Sequence, residues 1–213
     1  MLYIENESIN PYYNLAMEEY LFSLDDNNDY LLLWQNEPTI VVGKYQNTAE
    51  EINSEYVKEK GIHVVRRITG GGAVYHDLGN LNYTFINKGA GEKEFDFKKF
   101  TIPIVKALGR FGVKAELSGR NDITIDQKKF SGNAQYVKQN KILHHGTLLF
   151  NSKMEELAKA LKVTEDKFQS KGIKSVRSRV TNIADYLPGT ITVSQFKELL
   201  LKYMFYEDMQ LTE

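Results

Sequence analysis

The spacing of apolar residues predicts a helix followed by two strands at the start of the chain. Asn10 and Pro11 form a favourable helix start, because the asparagine side chain can cap the helix and proline lacks the N–H that would go unpaired there. Apolar residues then recur at helical spacing, which predicts an amphipathic helix over about 11–24: Tyr13, Met17, Tyr20, Leu21 and Leu24. The apolar runs 30–34 and 39–42 indicate strands, bounded by Pro38 and Gly43.

In the middle of the chain, the sequence again predicts helices that alternate with strands. Thr48 and Glu51 have the spacing of a capping box, which predicts a helix that turns Ile52, Tyr56 and Val57 inward and ends at Gly61. Strands are predicted over 62–68 and 81–86. A further helix is expected over about 101–111, with Thr101 as its cap and Pro103 in its first turn.

The second half of the chain is predicted to be rich in hairpins. Strands are expected over 113–117, 123–125, 130–137 and 142–150, with hairpin turns at 126–127 and 139–140, and helices near 153–162 and 194–205. Strands therefore occur partly as hairpins and partly separated by helices. This pattern predicts an α/β (α+β) domain with mixed, largely antiparallel sheets rather than a regular parallel βαβ series.

Composition and charge narrow the possible functions. The 213 residues are 42% hydrophobic and 26% charged, which is typical of a globular domain and excludes a disordered chain. The net charge of −1 gives no basic field for nucleic acid or an anionic membrane. No apolar run approaches the length of a membrane span, and residues 1–8 do not resemble a secretion signal, so we expect a cytoplasmic protein. The absence of cysteine excludes a thiolate metal site and a cysteine nucleophile.

The sharpest local feature is a glycine-rich segment preceded by two arginines, residues 66–77 (RRITGGGAVYHD). Gly70, Gly71 and Gly72 lack Cβ atoms, so their backbone N–H groups can approach an anion closely. Arg66 and Arg67 offer charge for a phosphate or carboxylate. The alternative is a tight turn beside a pair of surface arginines.

Two further segments carry candidate chemistry. Asp122, in residues 119–122 (GRND), begins one strand, and Lys129, in residues 128–134 (KKFSGNA), begins its hairpin partner, so the two side chains are expected to lie close together. A lysine and a carboxylate at one end of a sheet suit phosphate with Mg²⁺. The alternative is a solvated lysine pair after a turn.

Other polar and aromatic residues have two interpretations each. His144 and His145 are adjacent in a predicted strand and point to opposite faces, so they cannot share a metal, and we expect one buried and one exposed imidazole. The basic stretch Lys167–Arg179 is either a solvated face or a loop that closes over phosphates or touches an acidic partner. Trp34 is either a core residue or one wall of an apolar substrate slot.

These segments together resemble one family, the lipoate–protein ligases. The resemblance rests on six segments in the same order along nearly the whole chain: 34–36 (WQN), 66–80 (RRITGGGAVYHDLGN), 119–122 (GRND), 129–134 (KFSGNA), 144–149 (HHGTLL) and 171–182 (KGIKSVRSRVTN). It implies a biotin/lipoate protein ligase-like catalytic domain. A biotin ligase would carry a different glycine- and arginine-rich loop.

The resemblance also implies a role for each matching residue. Lys129 would be the catalytic residue, in contact with both the lipoyl carbonyl oxygen and the nucleotide, and Asp122 would hold Mg²⁺. The remaining residues would bind ATP or the adenylate (Arg67, Gly72, Ala73, Val74, Tyr75, Asn80, Asn121, Thr147) or lipoate (Trp34, Gly71, His76, His145).

The implied reaction has two steps. Lipoate and ATP with Mg²⁺ would give lipoyl-AMP and pyrophosphate, and the lipoyl group would then pass to a lysine of an acceptor, either an E2 subunit of a 2-oxoacid dehydrogenase or the H protein of glycine cleavage. Acyl transfer through a cysteine thioester is excluded by the composition. Two alternatives stay open: a lipoyl or octanoyl transferase that uses preformed adenylate, and a non-catalytic lipoyl-binding domain.

The distribution of the motifs suggests the extent of the domain. The segments that carry the resemblance are complete by Asn182, so we expect a catalytic domain over 1–205, acting as a monomer. Residues 206–213 are expected to begin a linker or an accessory domain.

Overall fold

The structure, a computed structural model, describes residues 1–88, 96–119, 121–161 and 179–205. Its strands are β1 (Leu2–Ile4), β2 (Tyr30–Trp34), β3 (Thr39–Val42), β4 (His63–Arg66), β5 (Val74–His76), β6 (Asn80–Lys88), β7 (Glu116–Ser118), β8 (Asp122–Ile125), β9 (Lys128–Lys138) and β10 (Lys141–Leu149). Its helices are α1 (Pro11–Ser23), α2 (Thr48–Glu51), α3 (Ser54–Lys60), α4 (Phe97–Arg110), α5 (Met154–Ala160) and α6 (Val193–Phe205), and a 3₁₀ turn spans Ile183–Tyr186.

The strands form two mixed sheets. The seven-stranded sheet has the order β1-β2-β6-β10-β9-β8-β7, and all its pairings are antiparallel except that of β1 with β2. The three-stranded sheet has the order β4-β3-β5, with β3 parallel to β4 and antiparallel to β5. The predicted mixed α/β architecture is therefore confirmed.

Three apolar clusters hold these layers together. One packs α4 and α6 against a face of the large sheet, around Phe130 and Phe196. The second lies on the opposite face, where Leu15 and Leu21 of α1 meet Val41 of the small sheet. The third covers the far side of the small sheet with α3 and α5. Both faces of the large sheet are thus covered, which explains why every residue of β2 and all but the last residue of β6 are buried.

Three helix starts differ from the sequence prediction because other residues provide the caps. Asn47 and Asn53 cap α2 and α3, so the single helix expected from Thr48 is two short ones. The side chain of Asp96 caps α4, which begins at Phe97 rather than near Thr101. Pro103 is therefore inside the helix and not in its first turn.

The buried face of α1 also differs from the expected one. Tyr13 and Tyr20 are exposed, whereas the side chains turned inward include Asn14 and Glu18 together with Leu15 and Leu21. The apolar spacing located the helix correctly, and Leu21, Met17 and Leu24 do pack inward. Only Tyr13 and Tyr20 were wrongly expected on this face, because two of the inward residues are polar.

The two predicted hairpin turns are confirmed. Asp126 and Gln127 connect β8 to β9, and Gln139 and Asn140 connect β9 to β10; all four have positive φ angles between 48° and 64°. Left-handed conformation at both central residues is the geometry of a type I′ turn, whose twist matches that of the strands.

Several predicted features lie outside the described residues. They are Arg120, most of the basic stretch Lys167–Arg179, residue 162 of the helix expected over 153–162, and the expected linker 206–213. Within the described ranges, none of the helices combines the length and the apolar character needed to cross a bilayer.

Candidate functional site

A cavity lies between the large sheet and the glycine-rich segment. Its volume is about 140 Å³, about ten times the free volume that one water needs, so it has room for an organic ligand. Leu15 and Trp34 line the cavity and are nearly fully buried, whereas the side chain of Lys129 is 42% exposed. The cavity therefore has an apolar inner end and a cation near its mouth.

Most of the residues singled out in the sequence line this cavity. They are Trp34, Arg67, Gly71, Gly72, Ala73, Val74, His76, Asn121, Lys129, His145 and Thr147. Three residues to which the resemblance gave a role do not: the side chain of Tyr75 packs in the cluster behind the small sheet, Asn80 is fully buried and donates to Asn82, and Asp122 lies beside Lys129.

The glycine loop (residues 69–72) is held by Arg67. Its guanidinium donates to Gly70 O at 2.8 Å, to Gly72 O at 2.7 Å and to the hydroxyl of Thr69 at 2.9 Å. Gly71 has φ +94°, a conformation that favours glycine. Among the described residues, the backbone N–H groups of Gly71 and Gly72 have no hydrogen-bond partner. Arg67 thus occupies the loop carbonyls and leaves these donors for an anion.

The neighbouring Arg66 holds a different loop. It donates to Gly43 O at 2.8 Å, to Gln46 O at 2.9 Å and to the hydroxyl of Thr48 at 2.8 Å. A Cβ added at Gly43 would meet Gly71 O at 2.0 Å, so this loop packs directly against the glycine loop. Both arginines therefore spend much of their donor capacity on the protein. Arg66 is exposed, whereas Arg67 is buried, so the alternative of a pair of surface arginines is wrong for Arg67.

Lys129 is aimed by an irregularity in its strand. The register between β8 and β9 shifts so that Phe130 is an extra residue between Lys129 and Ser131, and such bulges re-aim side chains. The backbone N–H of Lys129 donates to Arg179 O at 2.7 Å, and its carbonyl accepts from Thr181 N at 3.0 Å. These bonds satisfy the backbone at the bulge.

The ammonium of Lys129 lies across Gly132 and meets Asp122. Its Nζ is 2.8 Å from Asp122 Oδ1, which confirms that the two predicted residues are brought together. A Cβ at Gly132 would be 3.0 Å from Nζ, so glycine leaves room for the ammonium. The carboxylate holds the ammonium at the mouth of the cavity.

Asn121 and Asn133 fix the neighbouring part of the mouth. The Asn121 side chain donates to Asn133 O at 2.8 Å, and the Asn133 side chain donates to Asn121 O at 3.0 Å. The oxygen of the Asn133 side chain accepts from the hydroxyl of Tyr83 and lies 3.3 Å from His144 Nε2. Asn133 is therefore held in one orientation from the core side.

The expectation that one of the two adjacent histidines is exposed is wrong. His144 is fully buried, stacked on Phe100 at 4.9 Å between ring centroids, while His145 is 9% exposed and lines the cavity. They do point to opposite faces, but helices and the small sheet cover both faces of β10. Only His145 is placed for a ligand contact.

His76 is neutral and oriented by amides. Burial, together with the charges of Arg67 and His145, lowers the pKa of its imidazole to about 3. Its Nδ1 lies 3.1 Å from Asn36 Nδ2, a donor, so the ring proton is on Nε2. Among the described residues, Nε2 has no partner.

The two buried neutral histidines predict a loss of stability in mild acid. Burial lowers the pKa of both His76 and His144 to about 3, whereas an unfolded histidine has a pKa near 6.5. Because the unfolded chain binds these protons first, stability falls as the pH drops below 6.5. We expect a loss of about 1 kcal/mol per histidine at pH 5.5.

Urea unfolding at pH 7.5, 6.5 and 5.5 measures this loss. His144→Gln, which removes one titrating group, is expected to reduce the slope of stability against pH by roughly half. An unfolding free energy that stays constant over this range would contradict the neutral state of the two rings.

Sequence reasoning missed several residues at the cavity. Leu15, Val41, Asn82, Asn133, Ala134 and Gly146 line it without having been singled out for a role. Glu18 lies behind the lining and accepts from His145. The signal for Glu18 was its spacing from Asn14, Leu15 and Leu21, which places all four on one face of a helix.

The arrangement suits a carboxylic acid with an apolar tail. The apolar inner end can bury the tail, and Lys129 with the free N–H groups of the glycine loop can meet anionic oxygens near the mouth. Groups of three or more His, Cys, Asp or Glu side chains that could hold a metal are absent from the described part of the chain.

Comparison with known proteins shows the family to which the chain belongs. Residues 10–205 match the family model described as the lipoyl protein ligase A/B catalytic domain. Lipoate-protein ligase LplJ of Bacillus subtilis is 55% identical over 207 residues, which cover 96% of this chain and 62% of that protein. The chain thus spans about three fifths of the length of this relative.

Solved structures agree with the fold. A bipartite lipoate protein ligase from Thermoplasma acidophilum, described with its E2 lipoyl domain, has a TM-score of 0.81 and 29% identity, covering 95% of this chain and 80% of that one. A lipoate-protein ligase A bound with ATP has a TM-score of 0.79 and 28% identity, covering 91% and 79% of the two chains. These likenesses bear out the expected ligase-like fold.

Proposed function

Since this chain belongs to the family of lipoyl protein ligase A/B catalytic domains, we propose that it is an ATP-dependent lipoate–protein ligase. The observation that carries the proposal is the cavity, which is apolar at Trp34 and cationic at Lys129, with unpaired backbone donors of the glycine loop between them. Lipoate has the matching shape, a carboxylate on an aliphatic chain with a dithiolane ring. The similarity to the Bacillus lipoate-protein ligase and to a lipoate-protein ligase A bound with ATP supports the same activity.

In the first proposed step, the lipoate carboxylate attacks the α-phosphorus of ATP. The new C–O–P linkage forms as the bond to the β-phosphate breaks, which gives lipoyl-AMP and pyrophosphate. Two anions approach each other in this step, so the site has to offset their repulsion before it stabilises the charge on the phosphoryl oxygens. Lys129 can contact the carboxylate and the α-phosphate together, because its ammonium carries several donors on a flexible stem.

In the second proposed step, the amine of an acceptor lysine attacks the acyl carbon. The amide bond forms, the bond to AMP breaks and the amine loses a proton. The nucleophile in this step is the lysine of the acceptor. The absence of cysteine from this chain is therefore compatible with the reaction. Lys129 would polarise the acyl carbonyl oxygen as charge develops on it.

The proposed ligand contacts follow the lining of the cavity. Arg67, Gly72, Ala73, Val74, Asn121 and Thr147 would meet the adenylate, and Trp34, Gly71, His76 and His145 would meet lipoate, since all line the cavity. Tyr75 could contribute only through its backbone, because its side chain is buried behind the small sheet. Asn80 would act through Asn82, which lines the cavity and accepts its amide hydrogen at 2.8 Å.

We propose Asp122 as a protein ligand for Mg²⁺. Mg²⁺ commonly takes one or two carboxylates together with substrate phosphates, and the half-exposed carboxylate of Asp122 beside Lys129 fits that role. When bound, the ion would neutralise the charge of the polyphosphate. Asp122 would also keep Lys129 at the mouth.

Asp122→Asn is expected to raise the Mg²⁺ concentration for half-maximal pyrophosphate exchange by about tenfold, since a neutral amide is a poorer ligand for this ion. Titration of Mg²⁺ at fixed concentrations of ATP and lipoate measures this half-maximal concentration. The matched control is Asp126→Asn at the turn of the same hairpin, where asparagine tolerates the left-handed conformation. An unchanged Mg²⁺ dependence in Asp122→Asn would remove Asp122 as the ligand.

The proposed partners are lipoyl acceptor domains. The Thermoplasma ligase has an E2 lipoyl domain as its partner, and we extend the proposal to the glycine cleavage H protein. We further propose that the catalytic domain spans residues 1–205, that it acts as a monomer and that it is cytoplasmic, where ATP and these acceptors occur together.

Lipoate-dependent exchange of pyrophosphate into ATP tests the first step. Exchange is expected with lipoate and absent without it. Absence of exchange together with transfer from synthetic lipoyl-AMP would indicate an acyltransferase that uses preformed adenylate. Lipoate binding without either activity would indicate a binding domain.

A further inference from the structure

A buried carboxylate lies behind the cavity without lining it. Glu18 of α1 has a side chain that is only 3% exposed, and burying a charge is costly unless it is paired and hydrogen-bonded. Its partners are two side chains of the large sheet, Thr84 of β6 and His145 of β10. Each of these partners begins a chain of hydrogen bonds that ends on a different wall of the cavity.

The first chain of bonds ends at Trp34. The Thr84 hydroxyl lies 2.5 Å from Glu18 Oε1, and the indole Nε1 of Trp34 donates to the same hydroxyl oxygen at 2.9 Å. A hydroxyl has one hydrogen, which Thr84 gives to the carboxylate, so its oxygen is left to accept from the indole. The tryptophan wall is therefore held in place through Thr84 by Glu18.

The second chain of bonds ends at the glycine loop. His145 Nδ1 lies 2.9 Å from Glu18 Oε1, and since the carboxylate only accepts, this nitrogen carries a hydrogen. His145 Nε2 lies 2.8 Å from the hydroxyl oxygen of Thr69, which also accepts from Arg67 Nε at 2.9 Å. Arg67 in turn holds the loop carbonyls of Gly70 and Gly72.

We propose that Glu18 is a positioning residue that fixes the tryptophan wall and the glycine loop relative to each other and so sets the width of the acyl slot. This inference rests on the proposed function, because it assigns the slot to the lipoyl chain. Glu18 does not touch the ligand. It acts as the common acceptor at which both chains of hydrogen bonds end.

Charge reinforces this geometry. Burial lowers the pKa of Arg67 to about 10, and the negative charge of Glu18 opposes that lowering. The carboxylate therefore stabilises the guanidinium that holds the loop, in addition to accepting from His145. A neutral side chain at position 18 would weaken both effects.

Three substitutions and one control test the proposal. Glu18→Gln keeps the shape but removes the negative charge, and with its oxygen in place of Oε1 it puts an N–H₂ group where Oε2 lies 3.3 Å from His145 Nδ1, which is also a donor. Thr84→Val removes the hydroxyl that links Trp34 to Glu18, and Thr84→Ser restores it. Glu19→Gln is the matched control, since Glu19 is the next residue of α1 and is exposed.

The readouts separate the acyl slot from the nucleotide site. One is the KM for lipoate against the KM for ATP in pyrophosphate exchange. The other is the emission of Trp34, the single tryptophan of the chain, with and without lipoate. This emission reports the indole environment in a protein that need not turn over.

Glu18→Gln and Thr84→Val are each expected to raise the KM for lipoate by about three- to tenfold, the effect of one weakened hydrogen bond, while the KM for ATP stays within about twofold. The emission of Thr84→Val is expected to shift to shorter wavelength, because the indole N–H loses its acceptor. Thr84→Ser is expected to behave like the wild-type protein in both respects.

The possible results separate a failure of the positioning role of Glu18 from a failure of the proposed ligase activity. A wild-type protein without exchange overturns the ligase, and the proposal on Glu18 is then judged from lipoate Kd values measured by emission. An active wild-type protein in which Glu18→Gln and Thr84→Val match Glu19→Gln in lipoate KM and in emission overturns the positioning role. If Glu18→Gln does not fold, the lipoate KM and the emission of Thr84→Val and Thr84→Ser still test the positioning role.

Discussion

Replacing Lys129 by alanine is expected to lower lipoate-dependent pyrophosphate exchange by about 10³-fold, the upper part of the range for removal of one preorganised donor. The ammonium lies at the mouth of the cavity, across Gly132 and 2.8 Å from Asp122. Without it, the carboxylate and the α-phosphate would repel each other with no nearby ammonium to offset the charge. We expect Lys129→Arg to restore little, because a planar guanidinium does not fit the space of an ammonium held against Gly132.

Lys128→Ala is the matched control for this prediction. Lys128 is the adjacent residue of β9, exposed and outside the lining of the cavity. Its loss is expected to leave exchange within about twofold, and the unfolding midpoint of Lys129→Ala should stay near that of the wild-type protein, since partly exposed ion pairs contribute about 0–1 kcal/mol. Near-normal exchange in a folded Lys129→Ala protein would overturn the proposed mechanism.

Replacing Gly146 by alanine is expected to cause a large loss of stability. A Cβ at this position would lie 2.1 Å from Asn133 Oδ1 and 2.7 Å from the ring of Tyr83, in the interior of the large sheet. Overpacking of this kind costs about 1–3 kcal/mol, which corresponds to a fall in Tm of roughly 2–12 °C in a chain of this size. Because Asn133 has to move, exchange activity should fall in the same variant.

Gly189→Ala provides the comparison for Gly146→Ala. A Cβ at Gly189 has no neighbour within 4 Å, and its φ is not positive. Thermal unfolding of the two variants beside the wild-type protein measures the difference. Equal Tm values for Gly146→Ala and Gly189→Ala would show that the strands around Gly146 can separate without cost.

Local sequence signals predicted most of the strands and both hairpin turns for physical reasons, but they missed the short strands β1 and β5. Asp126, Gln127, Gln139 and Asn140 form two-residue turns between runs of strand residues, and backbone twist leaves few conformations for such short connections. The helix starts were less predictable because several polar residues competed as caps. Asp96 precedes Thr101 and accepts from Lys99 N, so it moved the start of α4 by four residues.

The residues of the cavity could be predicted where they belong to short sequence motifs. They could not be predicted where their role depends on how the elements pack in the fold. Residues 66–76 and 129–134 were recognised from their glycines and charges. Glu18 was not, because its role exists only once α1 packs against β6 and β10. The expected exposure of one histidine at 144–145 was wrong for the same reason, since a second layer covers each face of the sheet.

The glycine-rich motif combines structural and chemical roles that its sequence does not separate. Arg66 and Arg67 both donate to loop carbonyls, and Asp77 accepts from Gly79 N and Lys153 N, which connects the end of the motif to the start of α5. Much of the motif therefore builds the cavity. The free N–H groups at Gly71 and Gly72 are the part left for an anion.

Mass spectrometry of an apo lipoyl acceptor domain, incubated with this chain, lipoate and ATP with Mg²⁺, tests the central claim most directly. The account predicts an added mass of one lipoyl group on the acceptor lysine, dependent on ATP and lost with Lys129→Ala. An acceptor that stays unmodified with the wild-type chain, while a known lipoate ligase modifies it under the same conditions, would contradict the claim.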